Sequence, residues 1–375
     1  MHKDLFLLLR QYAALASPRS INFPNHFPLS VITEFIVEHI ITNPHFHQYP
    51  PAKQFQQQWW KRMISLLEEH ITDQEDEIDP RIFDHYLSLL PSSGPPSGSI
   101  QPEMRNQICA RGIPVREPPS RSFVTHFWRS ASDSVEEIDL KEYQTTTLHE
   151  SRTLIESGTT GLRTWPASHT MGQYLIDHPE LVQNARILEL GSGIGFLGII
   201  AATLQQLSSK EKNENQCIWL TDVNEDVLSQ CHHNVQLPCN LSSIHSAIHY
   251  RALDWYDALG PNTSSLERLL RDEVDPDLIL GADIVFDPSL VPPLAALINL
   301  ALQSGSKDRR RRALIALTIR NRETFDLFLR AVKEHGLDVK DVEFRKENSM
   351  FVDSMQGSEE SRNDVRILRI ESTSC

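Results

Sequence analysis

Residues 187–199 read ILELGSGIGFLGI, in which an apolar run and an acidic residue precede four glycines within eight positions. The apolar run is typical of a buried parallel strand, and the following FLGIIAATLQQL has helical periodicity. Glycine has no Cβ and accepts positive φ angles, so a flat ligand can approach the backbone of such a turn closely. A strand, a glycine turn and a helix together indicate a nucleotide-type binding site.

The length and composition limit the class of protein. A chain of 375 residues exceeds one ordinary core and favours a catalytic domain of roughly 200 to 250 residues beside a smaller domain. No uninterrupted apolar stretch approaches the roughly 20 residues of a membrane span, so we expect a soluble protein without a membrane partner. Arg10 interrupts the short apolar run near the start, which favours an amphipathic first helix over a secretion signal.

The charge of the chain bears on its partners. The formal net charge is −14. Because affinity for nucleic acid rests mainly on lysine and arginine that neutralise phosphates, we expect no direct nucleic-acid partner. The same acidity favours a basic protein partner.

The cysteines and histidines give no metal or disulfide pattern. The five cysteines are odd in number, scattered and without a CxxC pair, which favours a reducing, cytoplasmic compartment. Histidines cluster in HFHQY at 45–49 and in CHHN at 231–234, but neither cluster has a matching second pair. We therefore predict no metal site.

The hydrophobic pattern divides the chain into three parts. In residues 1–90 apolar residues recur every three or four positions, as on one face of an α-helix, which predicts a small N-terminal helical domain. Residues 91–137 begin with a stretch rich in proline, glycine and serine, which predicts a linker or long surface loop. Residues 138–375 alternate short apolar segments with helical stretches, as in a mainly parallel sheet covered on both faces.

The third part contains seven predicted strands. Their sequences are RILEL, CIWLTD, IHYRALDW, PDLILGAD, ALIALTIR, DVKDVEFR and VRILRIE. No long crossover helix is predicted between the last two, so they should pair as a hairpin and place one antiparallel strand at that edge. The predicted fold class is α/β, a Rossmann-like seven-stranded sheet of the class I methyltransferase type, preceded by the N-terminal helical domain.

Unusual polar and aromatic residues fall at the carboxyl ends of the predicted strands, where ligands bind in open α/β sheets. Glu189 precedes the glycine turn, and Asp222 ends the second strand. Asp254 and Trp255 follow the third strand, and residues 281–283 end the fourth. We therefore expect these residues to converge on one ligand.

A dinucleotide is one candidate ligand, because Gly193, Gly195 and Gly198 satisfy the GxGxxG pattern. However, Glu189 is poorly placed against a pyrophosphate. Asp222 also lies 29 residues after Gly193, whereas the dinucleotide pattern expects roughly 20, although the polar insert SSKEKNENQ accounts for such an excess. S-adenosylmethionine suits the positions better, since it has a ribose diol and a flat base but no phosphate.

Each candidate cofactor residue has an expected role. Asp222 can accept both ribose hydroxyls in charge-assisted hydrogen bonds, the alternative being a turn carboxylate or a cap of the helix after it. Trp255 can cover the adenine and Trp165 can lie over the sulfonium, while the alternative for each is a core indole. The turn at 191–195 lets the backbone approach the methionine and ribose.

Several motifs resemble those of a known family. GTTGLRTWPAS, ILELGSGIGFLGI, GADIVFDPSLVPPL and TIRNRETFDLF are similar to motifs of the seven-strand lysine methyltransferases that act on non-histone proteins. Within this family the methyltransferases of elongation factor 2 resemble the chain most, including its FLLLRQY helix. The resemblance implies S-adenosylmethionine as cofactor and a protein, elongation factor 2, as partner. The predicted cofactor contacts are Trp165, Glu189, Gly191, Ser192, Gly193, Gly195, Asp222, Trp255 and Ala282.

The predicted catalytic residues are Asp283 and Phe286 in GADIVF. The resemblance places an acidic and an aromatic residue beside the target amine. Asp283 is therefore assigned to orient the ammonium and relay its proton, and Phe286 to form the wall of the lysine channel. The alternative for Asp283 is a cap of the following helix. Thr318, Arg320 and Asn321 are expected at the same mouth, where they either bind substrate or form loop hydrogen bonds.

Three classes of function remain open from the sequence. The first is a lysine methyltransferase of elongation factor 2 or of another protein. The second is a dinucleotide-dependent oxidoreductase, for which no convincing hydride-transfer acid is found. The third is a cofactor-binding scaffold or assembly factor without turnover.

Overall fold

The computed structural model describes residues 1–73, 76–91, 121–130, 137–208, 216–304, 309–344, 350–352 and 364–373. The amino-terminal part is helical, as predicted. Its helices are α1 (Lys3–Ala13), α2 (Leu29–Ile36), α3 (Pro44–Gln48), α4 (Lys53–Glu69) and α5 (Pro80–Leu89). Helix α2 continues into a π-helical turn, Val37–Ile41. The short α3 was not expected from its sequence, and Asn43 supports its start by accepting the His45 N–H at 2.9 Å.

Helix α1 shows how these segments hold together. The His2 side chain caps it by accepting the N–H of Asp4, and its apolar face turns inward. Tyr12 on that face lies edge-on to Trp59 of α4, with ring centres 4.8 Å apart, and Trp60 is buried beside them. Because short helices are marginal in water, burial of these large side chains is the main stabilising contribution.

A β-hairpin connects the helices with the rest of the chain. Its strands, β1 (Ser122–Trp128) and β2 (Gln144–Glu150), are antiparallel. Phe127 packs against the core of the N-terminal helices, whereas Trp128 is buried in the core of the main sheet. Adjacent residues of one strand thus face two different cores, as the alternation of side chains in a strand requires.

The predicted linker over 91–137 is wrong for the residues of β1. Their sequence SFVTHFW is rich in aromatic and β-branched residues, which favour strands, whereas the proline and glycine that suggested a linker lie upstream. Residues 92–120 and 131–136 of the predicted linker lie outside the described residues.

The main sheet contains the seven predicted strands. They are β3 (Arg186–Leu190), β4 (Cys217–Asp222), β5 (Ile248–Ala252), β6 (Leu278–Ala282), β7 (Arg312–Thr318), β8 (Leu337–Val342) and β9 (Val365–Ser372). Their order is β5-β4-β3-β6-β7-β9-β8. Strands β3 to β7 are parallel, and β9 is antiparallel to both β7 and β8. This confirms the predicted α/β fold and the final hairpin. The reversed strand is not the outermost one, because β9 lies between β7 and β8.

Helices cover both faces of this sheet. Helices α6 (Pro166–Asp177), α7 (Phe196–Ser208) and α8 (Glu225–Val235) lie on one face, and α9 (Thr263–Arg268), α10 (Val291–Gln303) and α11 (Arg322–Glu334) on the other. Ile187 belongs to the first core and Leu188 to the second, which explains why β3 is a continuous apolar run. None of the helices in the described ranges has the length and apolar character needed to cross a membrane.

The strand order positions a crevice. Strands β3 and β6 are neighbours, yet the chain continues from β3 to β4 on one side and from β6 to β7 on the other. In open α/β sheets a ligand site lies at such a switch point, outside the carboxyl ends of the strands.

Candidate active site

A cleft lies at this switch point. Its volume is about 1210 Å³, including the open space at its mouth. The loops after β3, β4, β5 and β6 line it, together with residues 159–168 before and at the start of α6. All predicted cofactor contacts except Gly195 line this cleft, as do Asp283 and Phe286.

The glycine turn forms the floor of the cleft. Gly193 has φ +52°, and a Cβ at this position would lie 3.2 Å from the carbonyl oxygen of Gly161. The turn and the segment before α6 therefore approach each other so closely that a side chain has no place between them. Gly191, Ser192 and Ile194 of the same turn also line the cleft.

Gly195 has a different role from the predicted one. It does not line the cleft, and a Cβ there would lie 2.8 Å from Cys231 Sγ of α8. The absence of a side chain at Gly195 lets α8 pack against the turn. A glycine that makes space for a ligand cannot be distinguished in the sequence from a glycine that makes space for a packed helix. The sequence therefore did not separate Gly195 from the glycines that line the cleft.

Glu189 is an unusual side chain at the floor of the cleft. It is only 3% exposed, and its Oε2 has no hydrogen-bond partner in the described part of the chain. Burial, reinforced by the charge of Asp222, raises the pKa of Glu189 to about 8, although the Gly198 N–H acts in the opposite direction. A buried carboxyl oxygen without a partner is unusual in a folded protein, which singles out Glu189 among the residues of the cleft.

Asp222 ends β4 beside the glycine turn. Its Oδ2 accepts the Gly193 N–H at 3.3 Å, and its Oδ1 accepts the Asn224 N–H at 3.0 Å. Burial raises the pKa of Asp222. The helix-cap alternative is wrong, because Asn224 caps α8 by accepting the N–H groups of Asp226 and Val227.

Trp255 lies across the cleft from Asp222. It begins a short 3₁₀ helix, Trp255–Ala258, which Asp254 caps by accepting the Tyr256 N–H at 2.9 Å. A Cβ on Gly191 would lie 3.6 Å from the Trp255 ring, so the indole faces the glycine turn directly. With Leu253 and Tyr256 it makes this end of the cleft apolar.

Trp165 lies in the cleft wall immediately before the first residue of α6. Its Nε1 donates to the Thr160 carbonyl at 3.1 Å, which fixes the ring. The guanidinium carbons of Arg163 and Arg320 lie 5.4 Å and 5.1 Å from the ring centre. The half-buried indole lines the cleft and has two guanidinium groups near its ring, so it is not a simple core residue.

Asp283 follows Ala282 at the end of β6 and has an uncommon backbone conformation, with φ +55°. Its Oδ1 accepts the Thr318 N–H at 2.9 Å. Its Oδ2 accepts the Thr318 hydroxyl at 3.0 Å and forms an ion pair with Arg320 at 3.2 Å. The cap alternative is again wrong, since Asp287 caps the following turn. Left-handed backbone at a non-glycine residue is strained and is often found at functional sites.

Phe286 separates the cleft from a smaller pocket. Its side chain is 55% exposed and contributes to the walls of both cavities. The smaller pocket also contains Thr318, Arg320 and Asn321, which were expected at this mouth. Asn321 uses its side chain to cap α11, whereas Arg320 is held by Asp283.

Sequence reasoning missed part of the cleft. Thr160, Arg163, Thr164 and Ser168 also line it. All four lie within GTTGLRTWPAS, so the motif carried the signal although only Trp165 was selected from it. Among the described residues, His2, Asp4 and His26 are close enough together to hold a metal ion, but they do not line the cleft.

Comparison with known proteins agrees with this geometry. A family model described as lysine methyltransferase matches residues 144–335, which are 192 of the 375 residues. This chain belongs to the lysine methyltransferase family. The methyltransferase has an α/β fold of the expected class and uses S-adenosylmethionine to methylate protein lysine.

Several individual relatives are named as protein-lysine N-methyltransferases. The methyltransferase is 28% identical over 332 residues to the protein-lysine N-methyltransferase EFM3 of Chaetomium thermophilum, covering 87% of this chain and 86% of the relative. It is 30% identical over 213 residues to the protein-lysine N-methyltransferase EEF2KMT of Bos taurus, covering 52% and 58%. The corresponding human protein is 28% identical over 214 residues, covering 55% and 59%. The chain thus spans less than two thirds of each of these two mammalian relatives.

The residues that line the cleft of the methyltransferase are suited to binding S-adenosylmethionine. Glu189 has a buried oxygen without a partner among the described residues, and Gly191, Ser192 and Gly193 present the turn to the cleft. Carboxyl groups and two indoles line the cleft, and Arg163 is the single lysine or arginine among its described lining residues. This donor set suits a nucleoside with a cationic sulfur better than it suits a pyrophosphate, which requires positive charge.

Proposed function

We propose that this protein methylates a lysine of elongation factor 2. The observation that carries the proposal is that the cofactor cleft opens beside Asp283 and the exposed ring of Phe286, where an amine can enter. The choice of elongation factor 2 is supported by the motifs that resemble its methyltransferases and by similarity to the mammalian proteins named EEF2KMT.

The cofactor would lie along the carboxyl ends of the strands. Asp222 would accept the ribose hydroxyls, in place of the weak contact with Gly193 at 3.3 Å. Trp255 would cover the adenine, and residues 191–193 would provide backbone along the rest of the molecule. Glu189 would accept a donor from the cofactor with the oxygen that lacks a partner.

The cofactor supplies an electrophilic methyl group to a neutral amine, so the protein mainly aligns the reactants and excludes water. A lysine in water has a pKa of about 10.4, and an apolar surrounding lowers this pKa. Phe286 would provide that surrounding. It is now 55% exposed and would be covered when the lysine side chain passes it.

Asp283 would orient the amine. A carboxylate has about four lone-pair positions, and three donor contacts already reach this one, two from Thr318 and one from Arg320. Oδ1 accepts a single hydrogen bond, so one position remains for an N–H of the incoming lysine. Because Thr318 and Arg320 fix the carboxylate, the direction of that N–H is fixed as well.

The location of the protein follows from its proposed target. Elongation factor 2 acts in the cytoplasm, and we place the enzyme there too. The cysteines described, Cys217, Cys231 and Cys239, are all free, which agrees with a reducing compartment.

The test combines the purified methyltransferase with S-adenosylmethionine that carries a tritiated methyl group. The substrate is elongation factor 2 purified from cells in which the gene for this methyltransferase has been deleted. We expect one labelled band at the size of elongation factor 2, and mass spectrometry of that band should locate the lysine. A lysate from the same cells provides all competing proteins. Label on other proteins of the lysate, with none on elongation factor 2, would refute the proposed substrate and retain the methyltransferase activity.

A further inference from the structure

Arg163 is a buried cation without a carboxylate partner in the described part of the chain. The residue is 8% exposed, and its Nε is buried without a hydrogen-bond acceptor. Within the described ranges it forms no hydrogen bond and no ion pair. Its guanidinium stacks on Trp165, at 5.4 Å from the ring centre. Buried arginines are normally paired, so an uncompensated one at a ligand site calls for an explanation.

Two neighbouring arginines each have a carboxylate as an ion-pair partner. Arg320 stacks on the same indole at 5.1 Å, but its charge is paired with Asp283 at 3.2 Å. Arg152 lies 3.7 Å from Glu150, and the same carboxylate accepts the Thr164 N–H at 3.0 Å. The carboxylates of Asp283 and Glu150 therefore have other partners, and no ion pair joins either of them to Arg163.

The position of Arg163 in the cleft limits what it can bind. It follows Gly161 by two residues, and the carbonyl of Gly161 lies against the glycine turn at Gly193. The other ionisable residues that line the cleft are acidic, namely Glu189, Asp222, Asp254 and Asp283. A ligand with several positive or neutral groups and one carboxylate matches this pattern, and S-adenosylmethionine has one carboxylate, at its methionine end.

We propose that Arg163 binds the α-carboxylate of the cofactor and thereby makes the enzyme specific for ligands that carry it. The guanidinium donates to the carboxylate in a charge-assisted pair, and Trp165 holds the guanidinium in place. This inference rests on the cofactor that the family uses and is independent of the identity of the protein substrate.

The first experiment uses the unaltered full-length chain. Calorimetric titration compares S-adenosylhomocysteine with S-adenosyl-3-thiopropylamine, which keeps the amine and lacks the carboxylate. Because hydrogen bonds between charged groups are worth more than neutral ones, we expect the second ligand to bind about 10- to 100-fold more weakly. Equal affinities would overturn the proposal without any question of folding.

The second experiment locates the effect at Arg163. In Arg163→Gln the two ligands should bind with similar affinity, because S-adenosylhomocysteine alone loses a contact. Arg163→Lys should retain part of the preference. Arg121→Gln is the control, since Arg121 is paired with Glu156 at 2.8 Å and does not line the cleft, so this variant should keep the wild-type ratio.

Two results would contradict the proposal. If Arg163→Gln weakens both ligands equally, the residue only supports the fold of the cleft. If it leaves both ligand affinities unchanged and raises the KM for the protein substrate, Arg163 binds an acidic group of that substrate. The titrations contain no elongation factor 2, so the ligand affinities that they give are independent of the proposed target.

Discussion

Asp283 and Arg320 form an ion pair of 3.2 Å, and the same guanidinium lies 5.1 Å from the centre of the Trp165 ring. Arg320 thus joins the residue proposed to orient the amine to the indole that lines the cofactor cleft. The residues of this chain of contacts come from the ends of β6 and β7 and from the start of α6. Its consequence is that substrate and cofactor sites share one set of supporting contacts.

Asp283→Asn should lower kcat strongly while leaving cofactor affinity almost intact. Loss of the ion pair with Arg320 lets the group that directs the amine shift, and misalignment of this kind costs about 100-fold in rate. Single-turnover methylation and calorimetric titration of S-adenosylhomocysteine measure the two effects. Asp287→Asn is the control, since Asp287 is exposed and only caps the next turn. A kcat within about threefold of wild type for Asp283→Asn would contradict the proposed role.

Phe286→Ala should raise the KM for the protein substrate by about tenfold, because the substrate loses an apolar wall worth about 1 to 2 kcal/mol. The affinity for S-adenosylhomocysteine should change little. Leu259→Ala is a matched control, since Leu259 is 57% exposed, compared with 55% for Phe286, and does not line the cleft. Steady-state kinetics with intact substrate distinguish them, and similar KM values for both variants would show that Phe286 is not a contact.

Gly193→Ala should weaken cofactor binding at least tenfold and destabilise the fold by about 1 to 2 kcal/mol. The φ of +52° strains any side chain, and the new Cβ meets the Gly161 carbonyl at 3.2 Å. Gly336→Ala separates the two causes, since Gly336 has φ +72° and a Cβ there would meet no atom within 4 Å. It should lose similar stability and bind the cofactor normally. Normal binding by Gly193→Ala would show that the turn is not a ligand contact.

Glu189 should make the free protein less stable as pH rises. Its pKa is about 8 in the fold, against about 4.5 for its ordinary value. Between these values the folded state holds a proton that the unfolded state has lost, so stability falls with pH by up to about 1.4 kcal/mol per unit. Glu189→Gln removes this dependence. Chemical denaturation from pH 5 to 8 measures both proteins, and a constant difference between them would disprove the raised pKa.

Local patterns were sufficient for much of the fold. The strands were predicted correctly because a buried parallel strand has a continuous run of apolar residues. The turn after β3 was predicted because a turn with positive φ angles favours glycine. The hairpin strand β1 was missed because its seven residues lie beyond a stretch rich in proline and glycine. Its role depends on two cores formed by distant segments, which no local window contains.

The site was predictable in position and less so in detail. Asp222 and Trp255 line one cleft, as expected from the convergence of strand ends in an open sheet. The partners of Asp283 lie at Thr318 and Arg320, 35 and 37 residues further along the chain, and the pairing of β6 with β7 brings them together. The lack of a partner at Arg163 is a property of the whole neighbourhood, so only the structure could reveal it.

The place of β9 between β7 and β8 has a consequence for folding order. Thr318, which holds Asp283, pairs with Val365 of β9, and Ile319 donates its N–H to the Asp364 carbonyl at 2.9 Å. These contacts join residues 47 positions apart in the chain, and contacts between distant segments form slowly. The glycine turn and Asp222 depend on β3 and β4, which lie closer together in the chain. A folding molecule should therefore acquire the ability to retain its methyl donor before it acquires the ability to use it.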